Sequence, residues 1–133
     1  MNNEPRRILI AEYNPALSGV IRFNLEQAGY EVTNAANGLE AWQLLNQHQF
    51  DALVTDQQMP QLTGVELCER LRADGANKHV PVILLTAKGM ELDLPDLKTR
   101  LGISAALPKP FSPRELVKNL AQCLAESKPP ALA

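Results

Sequence analysis

Phe50-Asp51-Ala52-Leu53-Val54-Thr55-Asp56-Gln57-Gln58-Met59-Pro60 is the stretch that decides the fold. Ala52 to Thr55 reads as a strand apolar enough to be buried on both faces, as strands of parallel sheets are. A carboxylate, Asp56, follows at once. Thr63-Gly64-Val65-Glu66 then forms a capping box that opens a helix, with Leu67, Cys68 and Leu71 turned inward. A strand, an acid at its end and an amphipathic helix make one βα unit.

The same unit repeats outward from this centre. Toward the N-terminus, Arg7-Ile8-Leu9-Ile10-Ala11 reads as a buried strand. Asn14 offers an N-cap, Pro15 takes the first helical position, and Leu17, Val20, Ile21 and Leu25 recur at helical spacing up to Gly29. Tyr30 to Ala35 is a strand closed by Asn37-Gly38, and Leu39 to His48 a helix with Trp42 and Leu45 on one side. Toward the C-terminus, Val80 to Leu85 is a strand with Pro81 at an edge or at the strand's start. A weaker helix runs from Pro95 to Leu101 and stops at Gly102; Ala105-Ala106-Leu107 is a short strand. A second capping box, Ser112-Pro113-Arg114-Glu115, opens the last helix, with Leu116, Val117, Leu120 and Leu124 on one stripe. Five βα units predict a parallel sheet with helices on both faces. Residues 7–126 form the domain, with flexible ends at 1–6 and 127–133.

Composition agrees and excludes several classes. The 133 residues suit one domain; 45% are hydrophobic and 21% charged, a globular balance. The net charge of −2 gives no footprint for nucleic acid or an anionic membrane. The longest apolar run, 80–85, is far too short to span a bilayer, and the N-terminus has no secretory h-region. Cys68 and Cys123 lack metal-ligand spacing and read as small core hydrophobes.

In sheets of this kind ligands bind beyond the carboxyl ends of the strands. The residues there are Glu12-Tyr13, Asp56-Gln57-Gln58, Thr86-Ala87-Lys88 and Lys109-Pro110. Two carboxylates, a hydroxyl and a cation would meet in one shallow cleft. An aspartate can attack phosphorus to form an acyl phosphate, whose oxygens Lys109 and Thr86 could hold. A small α/β enzyme or flavin carrier would need a glycine-rich phosphate cradle after the first strand; residues 12–16 contain no glycine.

On these residues the chain resembles the receiver domain of two-component response regulators. The resemblance covers residues 6–126. It rests on Arg7-Ile8-Leu9-Ile10, the stretch 50–60 with Gly64, Pro81-Val82-Ile83-Leu84-Leu85-Thr86-Ala87-Lys88, and Lys109-Pro110-Phe111-Ser112-Pro113, and on the spacing between them. It implies a flavodoxin-like (βα)5 doubly wound α/β sandwich with a five-stranded parallel sheet in order 2-1-3-4-5. It implies that Asp56 is the phosphoacceptor, Thr86 the switch hydroxyl, Lys109 the phosphate-binding lysine, and the Lys109-Pro110 peptide cis. It implies a Mg2+ ion held by Glu12, Asp56 and the backbone carbonyl of Gln58. The implied partners are a sensor histidine kinase or phosphotransfer protein and a downstream effector protein, in the cytoplasm, with no direct nucleic-acid or membrane contact. The chain would be a monomer or weak homodimer, a regulatory domain rather than an enzyme in the ordinary sense. Its output would lie in another protein or in a removed part of the chain.

Three departures stand against the pattern. The family's second acid after strand one is matched by Tyr13, and a neutral phenol is a poor Mg2+ ligand, so the metal site is weakened. The inward-swinging aromatic of strand five is matched by Ala106. The span from Thr86 to Lys109 is one residue longer than the family commonly shows, near Gly89 to Pro95. Tyr13 and Ala106 favour the alternative of a pseudo-receiver, a phosphorylation-independent protein-interaction module; the retained Asp56, Thr86 and Lys109 argue against it. Plainer readings exist for single residues: Asp56 and Thr86 as caps, Lys109 as a solvated lysine, Glu12 as its simple partner, Tyr13 as a rim aromatic. His48 and His79 read as solvated element ends and Trp42 as a packing residue.

Overall fold

The computed structural model describes residues 4–73, 75–87 and 92–126. Residues 1–3, 74, 88–91 and 127–133 lie outside them, and with them Lys88 and the first part of the lengthened segment.

Ten elements alternate strictly: β1 (Arg7–Ala11), α1 (Pro15–Gln27), β2 (Glu31–Ala35), α2 (Gly38–Gln47), β3 (Ala52–Asp56), α3 (Gly64–Ala73), β4 (Val82–Thr86), α4 (Leu94–Leu101), β5 (Ile103–Pro108) and α5 (Pro113–Glu126). All strand pairs are parallel, in the order β2-β1-β3-β4-β5. This is the flavodoxin-like α/β arrangement expected from the sequence. The central strands β1, β3 and β4 carry almost no exposed surface, which explains their continuous apolar runs.

Alternation along each strand divides the core. Leu9, Ala11, Leu53, Val82 and Leu84 pack with the apolar sides of α2, α3 and α4. Ile8, Ile10, Val54, Ile83 and Leu85 pack with α1 and α5 on the other face. A buried side chain of this size stabilises by roughly 1.5–3 kcal/mol, so each face is held by many such increments.

The caps predicted from sequence form. Asn14 Oδ1 accepts from the Ala16 and Leu17 N–H groups at 2.9 and 3.2 Å. Thr63 and Glu66 exchange reciprocal bonds of 2.9 and 3.1 Å. Ser112 Oγ accepts from Glu115 N–H, and Gly102 ends α4 in the left-handed region at φ 65°.

Some expectations are corrected. Val20 is 46% exposed, and Ser18 takes its expected place inside α1. Val20 follows Gly19 around the outer face, whereas Ser18 lies three residues before Ile21 and seven before Leu25, on the buried stripe. Of the two positions expected for Pro81, the structure shows the strand start and not the sheet edge: it precedes the interior strand β4, and its carbonyl accepts from Leu53 N–H at 3.0 Å. β5 is longer than 105–107; it absorbs Ser104 in a register shift opposite Val82 and Ile83. Among the described residues, no helix is long and apolar enough to cross a membrane.

Candidate functional site

Three strands deliver the site. Glu12 directly follows β1, Asp56 ends β3, and Lys109 directly follows β5. Because β1 and β3 are neighbours, Glu12 and Asp56 emerge side by side. Both are buried, with exposures of 2% and 5%.

Lys109 reaches across to both. Its Nζ lies 2.9 Å from Asp56 Oδ1, 3.0 Å from Glu12 Oε1 and 3.3 Å from Glu12 Oε2. Its backbone N–H donates to the Thr86 carbonyl at 2.7 Å, and the Lys109-Pro110 peptide is cis, as expected. Thr86, at the end of β4, is buried beside the strand that carries Asp56. The structure therefore brings Glu12, Asp56, Thr86 and Lys109 to the same end of the sheet.

Burial pushes the Asp56 carboxyl up to about 6; Lys109 opposes that rise and the Glu12 carboxylate reinforces it. Burial alone would lower the Lys109 pKa, but hydrogen bonds to Asp56 and Glu12 outweigh it and raise it. The cluster sets two acidic side chains against one ammonium. Such a group offers a nucleophilic oxygen next to a fixed cation.

The loop after Asp56 is held as tightly as the acid. Gln57 N–H donates to the Leu85 carbonyl at 2.8 Å, Gly64 N–H to the Gln57 carbonyl at 3.0 Å, and Val65 N–H to Gln57 Oε1 at 2.8 Å. A Cβ on Gly64 would fall 2.4 Å from the Asp56 carbonyl oxygen. Glycine is needed there because helix α3 starts against the backbone of the acid.

Glu12 serves as the partner of Lys109. Its Oε2 also accepts the Asn14 backbone N–H at 3.0 Å. The sequence shows Asn14 only as a helix cap and gives no sign of this contact. The donor is a backbone N–H, so no side-chain identity at position 14 signals the contact.

The metal expectation meets a short donor set. Tyr13 is 59% exposed and lines a trough with Gln57, Gln58, Met59, Pro60 and Thr63. Among the described residues no group of three or more His, Cys, Asp or Glu is placed to hold a metal ion. Mg2+ demands a near-octahedral oxygen shell. Water can complete that shell around one or two carboxylates, but here Lys109 already engages both Glu12 and Asp56 and Tyr13 adds no third acid, so a metal would compete with the lysine.

Ala106 lies on β5 opposite Leu84, half-buried, in a groove with Leu94, Pro95, Lys98 and Cys123. His48 and His79 are exposed and Trp42 packs against the core. Cys68 and Cys123 are free and buried, and burial pushes the Cys68 thiol up to about 12, as suits core residues.

Comparison with known proteins identifies the family and the fold. The family model of the response regulator receiver domain matches residues 8–121. The chain is 43% identical over 117 residues to the "Probable transcriptional regulator ycf29" of Porphyra purpurea, covering 85% of this chain and 55% of that protein. It is 37% identical over 128 residues to the phosphate regulon transcriptional regulatory protein PhoB of Rhizobium meliloti, covering 96% and 56%. The chain thus spans about half the length of the curated relatives it matches. Among solved structures it resembles the receiver domain of the sensor histidine kinase PA1611 of Pseudomonas aeruginosa, with a TM-score of 0.80 and 31% identity over 91% of this chain and 98% of that one. That receiver carries a magnesium ion coordinated in its active-site cleft.

Proposed function

The chain belongs to the response regulator receiver domain family of two-component signalling, and on that premise we propose that it accepts a phosphoryl group on Asp56 from a sensor histidine kinase or phosphotransfer protein. The observation that carries this reading is the 2.9 Å pairing of a buried strand-end carboxylate, Asp56, with Lys109 Nζ. Asp56 acts as the nucleophile, Lys109 binds the incoming phosphoryl oxygens, and Thr86 donates its hydroxyl to them. The altered surface is read by a downstream effector protein in the cytoplasm. The domain acts as a monomer or weak homodimer, makes no direct contact with nucleic acid or membrane, and regulates rather than turns over a substrate.

Mg2+, where it binds, would be held by Glu12, Asp56 and the Gln58 carbonyl and would supply charge neutralisation. Tyr13 weakens that site, and no step above depends on the ion.

A second reading has a specific observation behind it. Ala106 puts no ring on β5, so the fold lacks the family's lever between the phosphoryl site and the α4–β5–α5 face. This favours a pseudo-receiver that binds its partner irrespective of phosphorylation.

Incubation with acetyl phosphate and Mg2+, followed by intact mass, tests the first reading. A gain of one phosphoryl group that Asp56→Asn abolishes is expected. An unchanged mass under these conditions would leave the pseudo-receiver as the better account.

A further inference from the structure

A phosphoryl group brings up to about two negative charges to a carboxylate. It would arrive at a cluster that already holds Glu12 and Asp56, so matching positive charge is required. In the family pattern a divalent ion, held by the second acid after strand one, meets much of that demand. Here the second acid is Tyr13, whose side chain lies 59% exposed in the trough beside Met59 and Pro60.

The substitution changes two quantities together. It removes a metal ligand, and it removes a negative charge. With Tyr13 neutral, Lys109 alone leaves the Glu12–Asp56 pair with a single net negative charge. The cation is also built in. Glu12 holds Lys109 Nζ at 3.0 Å through Oε1, while its Oε2 is held by the Asn14 N–H at 3.0 Å. The backbone of Lys109 is bonded to Thr86 at 2.7 Å. The Lys109 hydrogen bond itself goes to Oε2 at 3.3 Å, so a metal at Glu12 would have to share the carboxylate with the lysine, which stands 3.0 Å from Oε1.

We propose that Lys109, held in place by Glu12, is the resident cation of this site, and that phosphoryl transfer to Asp56 proceeds without a divalent metal. The proposal rests on the phosphoacceptor reading of Asp56. In the step itself an Asp56 carboxylate oxygen attacks the phosphorus of an acyl phosphate. A new O–P bond forms, the P–O bond to the donor's carboxyl group breaks, and the donor leaves as a carboxylate with the bonding pair. No proton is transferred. Lys109 keeps its three N–H donors and moves them onto the phosphoryl oxygens.

The test is phosphorylation of the whole chain by acetyl phosphate, timed by intact mass, in excess Mg2+ and in excess EDTA. The wild-type rates are expected to agree within about twofold, whereas Tyr13→Asp is expected to run about tenfold or more faster with Mg2+ than without it. Lys109→Gln should slow the reaction in both solutions. A Mg2+ titration followed through the amide shifts of Gln57 and Asn14 adds a readout independent of transfer. It should saturate in Tyr13→Asp and stay flat in the wild type. If EDTA abolishes the wild-type mass gain that Mg2+ allows, metal-free transfer is overturned and the phosphoacceptor reading stands. If neither solution gives a gain, the phosphoacceptor reading fails and takes the proposal with it. A Lys109→Gln variant as fast as wild type in EDTA removes the lysine from the role. A Tyr13→Asp variant indifferent to Mg2+ overturns the part given to Tyr13.

Discussion

The two ends of helix α3 are fixed in opposite ways. At its start, Gly64 presses against the backbone of Asp56 because it has no side chain. At its end, Arg72 is fixed by what its side chain reaches. The guanidinium donates to four backbone carbonyls: Leu101 and Val80 at 2.6 Å, Lys78 at 3.0 Å and Gly102 at 3.4 Å. That clamp ties α3 to the start of β4 and the end of α4, at the end of the sheet away from Lys109. Lys109 is also a partly buried cation, but its partners are carboxylates. Burial lowers the Arg72 pKa, whereas the carboxylates raise that of Lys109. A cation among neutral carbonyls is a fastener; a cation among charges that can change is a switch.

The largest effect is expected where the fastener is cut. Arg72→Ala leaves the two partly buried carbonyls of Leu101 and Val80 short of a donor and should destabilise the fold by about 3 kcal/mol. Arg72→Lys should recover little of this, because an ammonium lacks the planar fork. Urea midpoints of the two variants check the claim, and a wild-type midpoint for Arg72→Ala would dismiss the clamp.

At the other end of the helix, Gly64→Ala forces a Cβ toward the Asp56 carbonyl and Leu84. A loss of about 2 kcal/mol is expected from overpacking, with the largest amide shifts around Asp56 and Gln57. If those shifts concentrate around Arg72 instead, the local account is wrong.

Asp56→Asn should act with the opposite sign. The folded pKa of about 6 lies above the ordinary value of 3.8, so the native state binds more protons between those two pH values. Stability contributed by Asp56 therefore falls as pH rises through that window. The asparagine variant should be more stable than wild type by about 1–2 kcal/mol at pH 7, with the gain fading toward pH 4. Thermal midpoints at the two pH values decide it; a gain that persists at pH 4 would point to a cause other than charge burial.

The smallest effect is reserved for the exposed pair of Arg100 with Glu69, at 3.0 Å, which also joins α3 to α4. Glu69→Ala should leave the unfolding midpoint where it was, since solvent screens such pairs. A clear drop would show that α4 depends on this contact and not on Arg72 alone.

Much of this was legible in the sequence. Strand order followed from the resemblance, and the caps at Asn14, Thr63 and Ser112 from local chemistry alone. The four residues Glu12, Asp56, Thr86 and Lys109 could be named because each directly follows or ends a strand. What escaped reading were contacts between residues distant in the chain. Asn77 is buried, accepts from Phe50 N–H at 2.8 Å and donates to the Leu45 and His48 carbonyls. Nothing near Asn77 in the sequence announces partners some thirty residues away. Arg72 was hidden for the same reason. Val20 is apolar but lies outside the angular stripe of Ser18, Ile21 and Leu25, so its identity points inward while its position points out. The extent of β5 depended on a register shift that only the pairing with β4 defines.

The strand order has a consequence for how the protein is made. In a chain emerging N-terminus first, β1 and β2 can pair as soon as both have left the ribosome. β3 then adds to the free edge of β1, β4 to β3, and β5 to β4. No later strand has to open a pairing already made, and each finds an edge waiting. Lys109 emerges after all five strands, when Glu12 and Asp56 already stand side by side. The two acids are thus made before the cation that pairs with both, and the charge cluster closes only as the sheet is completed.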